Sequence, residues 1–321
     1  MKAAMLLGFG DVDNLVLADL TDPTPAPGQV LVRVKAAGIN FADVLWRRGK
    51  YPRCTAPHVL GFEVAGDVEA VGEGVTGYLP GMRVFGLTPG GGGYAEKVLC
   101  RADDLHPVPE GLTYEEAAAV PVVFATVYHA LNSFGRVSEG ETVLIHAAGG
   151  GVGTVAVQWA RAMGATVIAT AGSEEKLRRV AELGAHLTVN YRTQELIPTV
   201  KAATGNKGVD VVLESVGGQV LEDSLTLLRS FGRLVTLGIA SGEAPKIDPM
   251  RLLTRNLTVS GLYLSTMEAR LVRGGLLAGL AMVYAGKVRP VVGHTYPLDQ
   301  VARAHALLES RNSFGKVVLT V

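Results

Sequence analysis

Cysteine is nearly missing from this chain: Cys54 and Cys100 are the only two in 321 residues, far apart and in no CxxC pair. Two isolated thiols build no disulfide framework, and a structural zinc lobe of four cysteines is excluded. Excess charge is missing too, since thirty Lys and Arg stand against thirty Asp and Glu. A chain balanced in this way advertises no basic surface for nucleic acid or for an anionic membrane. Aromatic residues make up only 6% and do not cluster with Lys or Arg, which removes the stacking platform of a single-strand binder. Long apolar runs are absent as well: the most apolar stretch, Ala117 to Leu131, is broken by Pro121 and His129, and MKAAMLLGFG reads as a first strand rather than a secretory leader. These absences leave, as the expectation, a cytoplasmic metabolic protein that neither spans a membrane nor takes nucleic acid as its partner.

Glycine is abundant, with forty residues, and one cluster sits where the residue type matters. From Glu141 to Gly164 the β-branched run ETVLI leads into HAAGGGVG and then into the helical pattern TVAVQWARAMG. Strand, small residues and amphipathic helix form the first half of a βαβ unit. Read from Ala148, the spacing is A-x-G-x-x-G. A turn made of Gly149, Gly150, Gly151, Val152 and Gly153 lets backbone approach a pyrophosphate, and the following helix N-terminus offers unpaired N–H groups and positive dipole. A second cluster, GGGGYAE (Gly90 to Glu96), precedes no helix and is a poor phosphate loop.

The rhythm changes along the chain. Up to about His106, short apolar runs are separated by Gly and Pro, the mark of an irregular, mostly β domain. Thr113 is placed to cap a helix over YEEAAAV, which Pro121 interrupts. After Gly140, strands alternate with helices: TVLIHA, TVIAT, LTVN, VDVVLES, GRLVTLG and LTVSGLYL, with helices starting at Thr154, Glu174, Gln194, Gln219 and Pro249. The expected class is α/β, with a doubly wound, six-stranded parallel Rossmann sheet over 117–264 and the glycine turn after its first strand. A helical stretch from Thr266 to Gly286, a helix over Asp299 to Arg311 and the closing strand GKVVLTV then return to the first domain, giving it residues 1–116 and 265–321.

Folds of this type that bind NAD place an acid at the end of the second strand, about 20 residues past the glycines, on the ribose hydroxyls. Here that place reads TAGSEEK, Thr170 to Lys176. Gly172 and Ser173 leave room for a 2′-phosphate, and Lys176 meets it as a point charge. Glu174 and Glu175 follow a capping Ser173 and complement the helix dipole. The expected cofactor is NADPH.

Several motifs run through the whole chain in one order: AAGINFADVLWRRGKYP (Ala36 to Pro52), GFEVAGDVEAVGEGV (Gly61 to Val75), GGYAE, ATVYHAL (Ala125 to Leu131), HAAGGGVG, NYR (Asn190 to Arg192), ESVGG (Glu214 to Gly218) and FGKVVL (Phe314 to Leu319). Together they resemble the medium-chain dehydrogenase/reductase superfamily, and within it the zinc-independent quinone oxidoreductases related to zeta-crystallin. The resemblance implies a GroES-like catalytic domain beside the Rossmann domain. Zinc-dependent relatives carry a Cys in the first motif and a His after the first Gly of the second, where this chain has Asn40 and Phe62, so no metal is expected. The resemblance also implies that Gly172, Lys176 and Tyr191, with Arg192 beside them, receive the adenosine phosphate. It further implies that Thr126 meets the nicotinamide amide and that the backbone of Val216, Gly217, Gly238 and Ile239 lines the nicotinamide half.

Hydride transfer without a metal requires an acceptor that is already electron-poor, a quinone or an alkene conjugated to a carbonyl. The protein then has to position it, exclude water and supply donors where negative charge develops. Asn40 is a neutral donor at the place of a zinc ligand. Tyr51 resembles the proton-donating tyrosine of related enoyl thioester reductases, Asp43 is placed to orient this group, and Arg47 and Arg48 read as surface charges. His58, His129 and His146 share no metal-ligand spacing and read as structural. The expected function is NADPH-dependent reduction of quinones by direct hydride transfer, without zinc or flavin. One alternative is reduction of conjugated enals, enones or enoyl thioesters; another, of a different class, is a non-catalytic nucleotide- or RNA-binding protein. The apolar sixth strand, LTVSGLYL, would form a sheet edge and predicts a homodimer joined there, as in resembling proteins.

Overall fold

Apolar runs punctuated by Gly and Pro become strands in the first part of the computed structural model, which describes Met1–Val321. They are β1 (Lys2–Leu6), β2 (Leu15–Asp19) and the eleven-residue β3 (Gln29–Ile39), followed by α1 (Phe41–Arg47) and β4 (His58–Val59). Next come β5 (Glu63–Val71), β6 (Arg83–Leu87), β7 (Lys97–Arg101), β8 (Leu105–Pro107) and α2 (Tyr114–Ala118). Thr113 caps α2: its hydroxyl accepts the Glu116 N–H at 3.2 Å, while the Glu116 carboxylate accepts the Thr113 N–H at 3.0 Å. Pro121 opens α3 (Pro121–Tyr128), at a helix position that has no use for its missing N–H.

The alternating segment then folds as read, through β9 (Thr142–Ile145), α4 (Gly151–Ala162), β10 (Thr166–Ala171), α5 (Glu174–Glu182), β11 (Leu187–Asn190) and α6 (Leu196–Ala203). It continues with β12 (Val209–Glu214), α7 (Gly218–Leu227), β13 (Leu228–Thr236), α8 (Pro249–Arg255) and β14 (Thr258–Gly261). The six strands form one sheet in the order β11-β10-β9-β12-β13-β14, all parallel. Val143, Leu144 and Ile145 of the central β9 are wholly buried, because helices cover both faces of a parallel sheet and a central strand has no solvent side. The doubly wound α/β reading is borne out.

After α9 (Ala269–Tyr284) the chain adds β15 (Val292–Pro297), α10 (Val301–Glu309) and β16 (Lys316–Thr320). β16 lies between β15 and β3 in a seven-stranded sheet. It pairs antiparallel with β3, Val317 against Ile39, a register that sets Lys316 opposite Asn40. Val30, Val32, Val34, Val64, Val84 and Leu319 fill the core of this part.

The chain divides into unit 1, Met1–Val122 with Pro290–Val321, and unit 2, Val123–Arg289. These limits differ from 116/117 and 264/265, and α9 accounts for most of the difference. Its Val272, Leu276 and Leu280 are buried, His129 Nε2 lies 3.0 Å from the Leu271 carbonyl, and a side chain at Gly279 would run into Phe124 at 2.8 Å. The helix packs on α3 of unit 2. An amphipathic face in a sequence announces burial but not the partner.

Candidate functional site

In a parallel sheet all carboxyl ends point to one edge, and ligands bind there. Unit 2 brings its candidate residues to that edge: the glycine turn after β9, Gly172 and Ser173 after β10, Tyr191 and Arg192 after β11, Val216 and Gly217 after β12, Gly238 and Ile239 after β13. Two concavities in the same unit lie elsewhere. One of about 310 Å³ is lined by Glu222, Lys246 and Arg251. Another of about 550 Å³ opens at the amino ends of the strands, beside Thr142, Thr166 and Asp210, on the edge that sheets of this kind do not use.

The turn is shaped for close approach. Gly150 ends in extended backbone and α4 begins at Gly151; the first hydrogen bond into the helix is from Thr154 N–H to the Gly150 carbonyl. The N–H groups of Gly151, Val152 and Gly153 therefore lack helical partners, as in any first turn. A Cβ on Gly153 would stand 2.5 Å from both the Ala147 oxygen and the Ala148 Cα, so only glycine allows the helix to sit this near the strand. His146 is buried, with one ring nitrogen 3.0 Å from Thr170 Oγ1 and the other 2.9 Å from Ser224 Oγ. Burial pushes its pKa down to about 4, which leaves it a neutral tie between β9, β10 and α7.

The loops after β10 and β11 form a basic corner. Ser173 caps α5, its hydroxyl accepting the Lys176 N–H at 3.4 Å. Buried Asn190 organises the next loop: its amide donates to Glu174 Oε1 at 2.6 Å and its carbonyl oxygen accepts the Arg192 N–H at 3.1 Å. Glu174 is thus engaged in structure. Tyr191 and Arg192 fold back over Gly172, where a Cβ would meet Tyr191 Oη at 2.5 Å and Arg192 Nε at 3.1 Å. The Lys176 pKa is lowered, first by burial and then by the nearby Arg192 charge. An anion placed among Lys176, Arg192 and Tyr191 relieves that repulsion and finds an acceptor's complement of donors. Thr126 lies partly buried within α3.

The loops after β12 and β13 are knitted together: Ala240 N–H donates to the Ser215 carbonyl at 3.1 Å, and Ser241 N–H to the Val216 carbonyl at 2.8 Å. Glu214, which sequence reasoning passed over, holds the first loop from below. It is fully buried, and its Oε1 accepts the N–H groups of Val216 and Gly217 at 2.6 and 2.9 Å. Burial raises its pKa against those hydrogen bonds. The signal was available, a single acid closing the apolar strand VDVVLE.

In unit 1 the candidate group is Asn40, at the junction of β3 and α1. Its Nδ2 donates to Glu63 Oε1 at 2.8 Å, and its Oδ1 accepts from Lys316 Nζ at 2.5 Å. Asp43 is fully buried and works on backbone: one oxygen accepts the Asn40 N–H at 2.8 Å, the other the Gly61 N–H at 3.0 Å. Burial pushes its pKa up to about 7, opposed by those N–H groups and by the Lys316 charge. The buried Tyr94 phenol adjoins Asp43 without completing a hydrogen bond. Tyr51 stacks on Trp46 at 5.6 Å and tilts against Phe62 at 5.6 Å, and Trp46 stacks on His58 at 4.7 Å. Phe62 thus joins an aromatic wall. Arg47, read as a surface charge, is wholly buried, donating to the Gly10 carbonyl and paired with Glu309, whereas Arg48 is half-exposed and shares Glu309. No group of three or more His, Cys, Asp or Glu side chains is gathered to hold a metal ion.

A dinucleotide-type sheet inserted into a β-rich unit defines the medium-chain dehydrogenase/reductase class. Residues 26–110 match the alcohol dehydrogenase GroES-like domain and residues 151–273 the zinc-binding dehydrogenase family. The quinone oxidoreductase of Rattus norvegicus is 37% identical, over 99% of this chain and 97% of its own. The 2-haloacrylate reductase of a Burkholderia species is 38% identical, over 99% and 98%. The solved structure of Escherichia coli quinone oxidoreductase complexed with NADPH superposes with a TM-score of 0.94 at 33% identity, covering all of both chains. The chain belongs to the quinone oxidoreductase family of this class.

Proposed function

We propose that the chain is an NADPH-dependent reductase of quinones that works by direct hydride transfer, without zinc or flavin. The observation that carries this reading is the basic corner of unit 2, where Tyr191 and Arg192 fold back over Gly172 and Lys176 lies beside the Arg192 charge; within unit 1, a neutral donor at Asn40 in the place of a metal ligand agrees with it. The relative solved with NADPH supports the choice of cofactor. The glycine turn, Gly149 to Gly153, would hold the pyrophosphate; Gly172, Ser173, Lys176, Tyr191 and Arg192 the adenosine phosphate; Thr126, Val216, Gly217, Gly238 and Ile239 the nicotinamide half. Bound NADPH supplies the hydride.

The remaining work falls to side chains of unit 1. Tyr51, half-buried and backed by the buried rings of Trp46 and Phe62, offers flat apolar surface to a planar acceptor. The Asn40 amide donates to the carbonyl oxygen on which negative charge develops, and the Tyr51 hydroxyl is the proton source for that oxygen. Asp43 holds Asn40 and Gly61 in place through their backbone. The same machinery suits reduction of a double bond conjugated to a carbonyl in an enal, enone or enoyl thioester, a second reading favoured by the 2-haloacrylate reductase relative. Family membership favours either over a non-catalytic nucleotide- or RNA-binding role.

Stopped-flow oxidation of NADPH with a naphthoquinone, an alkenal and a crotonyl thioester separates the readings. Fastest turnover is expected on the quinone; a silent quinone trace with rapid thioester turnover overturns the first reading in favour of the second. We further propose a homodimer through β14, the edge strand of the sheet, near which Met250 and Leu253 of α8 are exposed. A light-scattering mass of one chain at micromolar concentration contradicts it. No helix is long and apolar enough to cross a membrane, and two free cysteines suit the reducing cytoplasm we assign to the protein.

A further inference from the structure

Lys316 and Glu63 form a buried ion pair at 2.5 Å, and both touch Asn40. We infer that this pair positions the Asn40 carboxamide, locking it in one orientation so that its second amide N–H is a fixed donor to the acceptor's carbonyl oxygen. The inference rests on the reductase reading and adds two positioning residues to it.

The lock follows from what each partner is able to do. An ammonium only donates, so the Asn40 group facing Lys316 Nζ is the carbonyl oxygen; a carboxylate only accepts, so the group facing Glu63 Oε1 is the NH2. Turning the amide over would set donor against donor and acceptor against acceptor. Glu63 is itself fixed: its second oxygen accepts the Val122 N–H at 2.8 Å, and Gly38, whose Cβ would stand 2.6 Å from Glu63 Oε1, leaves it the space. With the oxygen held by Lys316 and one hydrogen by Glu63, a single donor remains, the other N–H of a partly exposed residue. A cation on the amide oxygen also draws electron density from the nitrogen and strengthens that N–H as a donor.

The test is a cycle of variants assayed with NADPH and a naphthoquinone. Glu63→Gln/Lys316→Met removes the lock without stranding a buried charge, because a glutamine tolerates either amide orientation. Its thermal midpoint reports folding and fluorescence titration its NADPH affinity. The expected result is unchanged NADPH affinity, nearly unchanged KM for the quinone, and kcat lower by roughly 10- to 100-fold, as on loss of one oxyanion donor. Asn40→Ala should cost a similar factor, and combining it with the pair should cost no more. Full kcat in the pair, or losses that multiply in the triple variant, overturns the inference. Asn-selective 15N NMR reads the lock without turnover: the two Asn40 amide protons should be widely separated in the wild-type protein and converge in the pair variant. Convergence already in the wild-type protein overturns the lock alone. Wild-type inactivity on every quinone and conjugated carbonyl overturns the reductase reading, and the NMR signature still decides the lock.

Discussion

The glycine turn of unit 2, the phosphate site we propose, and the Asn40 cluster of unit 1, the donor we propose, are built from different parts of the chain. The turn uses consecutive backbone N–H groups, so its information is local and nearly any side chain that leaves room is compatible with it. The donor uses Asn40, Glu63 and Lys316, with 23 and 276 positions separating Asn40 from its two partners. A backbone site is broken by adding atoms; a side-chain site is broken by removing them.

The largest effect that follows is on stability. Lys316→Met leaves the Glu63 carboxylate, 0% exposed, without its cation, and should cost about 3–5 kcal/mol in urea unfolding. The comparison breaks if this variant is no less stable than Glu63→Gln/Lys316→Met. Asp43 comes next. Its pKa is raised from 3.8 to about 7, so the folded chain keeps a proton that the unfolded chain releases. The associated stability is complete at pH below the unfolded value and is lost as pH rises to about 7. Between pH 5 and 8 the wild-type protein should lose roughly 3 kcal/mol relative to Asp43→Asn, at 1.36 kcal/mol per unit; parallel pH profiles of the two would remove Asp43 from this account.

In unit 2, losing a side chain should cost less. Lys176→Ala should weaken NADPH binding by roughly 10- to 100-fold, the worth of one charge-assisted hydrogen bond, and leave NADH binding unchanged. Equal losses for both cofactors would move the phosphate away from Lys176. Ser173→Ala, which removes a cap with a 3.4 Å hydrogen bond and one neutral hydroxyl of the proposed phosphate site, should lower stability by about 0.5–1 kcal/mol and weaken NADPH binding by less than Lys176→Ala does, since the charged side chains and the backbone donors of the turn remain. A collapse of NADPH binding in this variant would show that unit 2 also depends on distributed side chains.

The same contrast explains what the sequence made legible. The six strands, their helices and the glycine turn could be read because period and spacing are local quantities. Asn40 and Phe62 could be read as substitutions at the places of metal ligands. The partners of Asn40 could not, since no local pattern ties Glu63 in GFEVAG to Lys316 in FGKVVL; only the register of β16 on β3 brings them together. Arg47 was misread for the same reason, its carboxylate partner Glu309 lying 262 positions away. Asp43 and Glu214 carry the opposite lesson. Each is an acid beside an apolar run, and such an acid, once buried, must find N–H groups to accept; both find them in the backbone of the loops that present the site.

Unit 1 is discontinuous, and that has a consequence in time. During synthesis Asn40 and Glu63 emerge early, and all of unit 2 follows before Lys316 is made. At about 5–20 residues per second, the interval from Asn40 to Lys316 is roughly 10 to 60 s. Once Gly261 is made the whole sheet of unit 2 is available to fold, while Glu63 still waits without its cation. A chain arrested between Gly261 and Lys316 therefore has every strand of the unit 2 sheet but lacks the cation that fixes the Asn40 carboxamide.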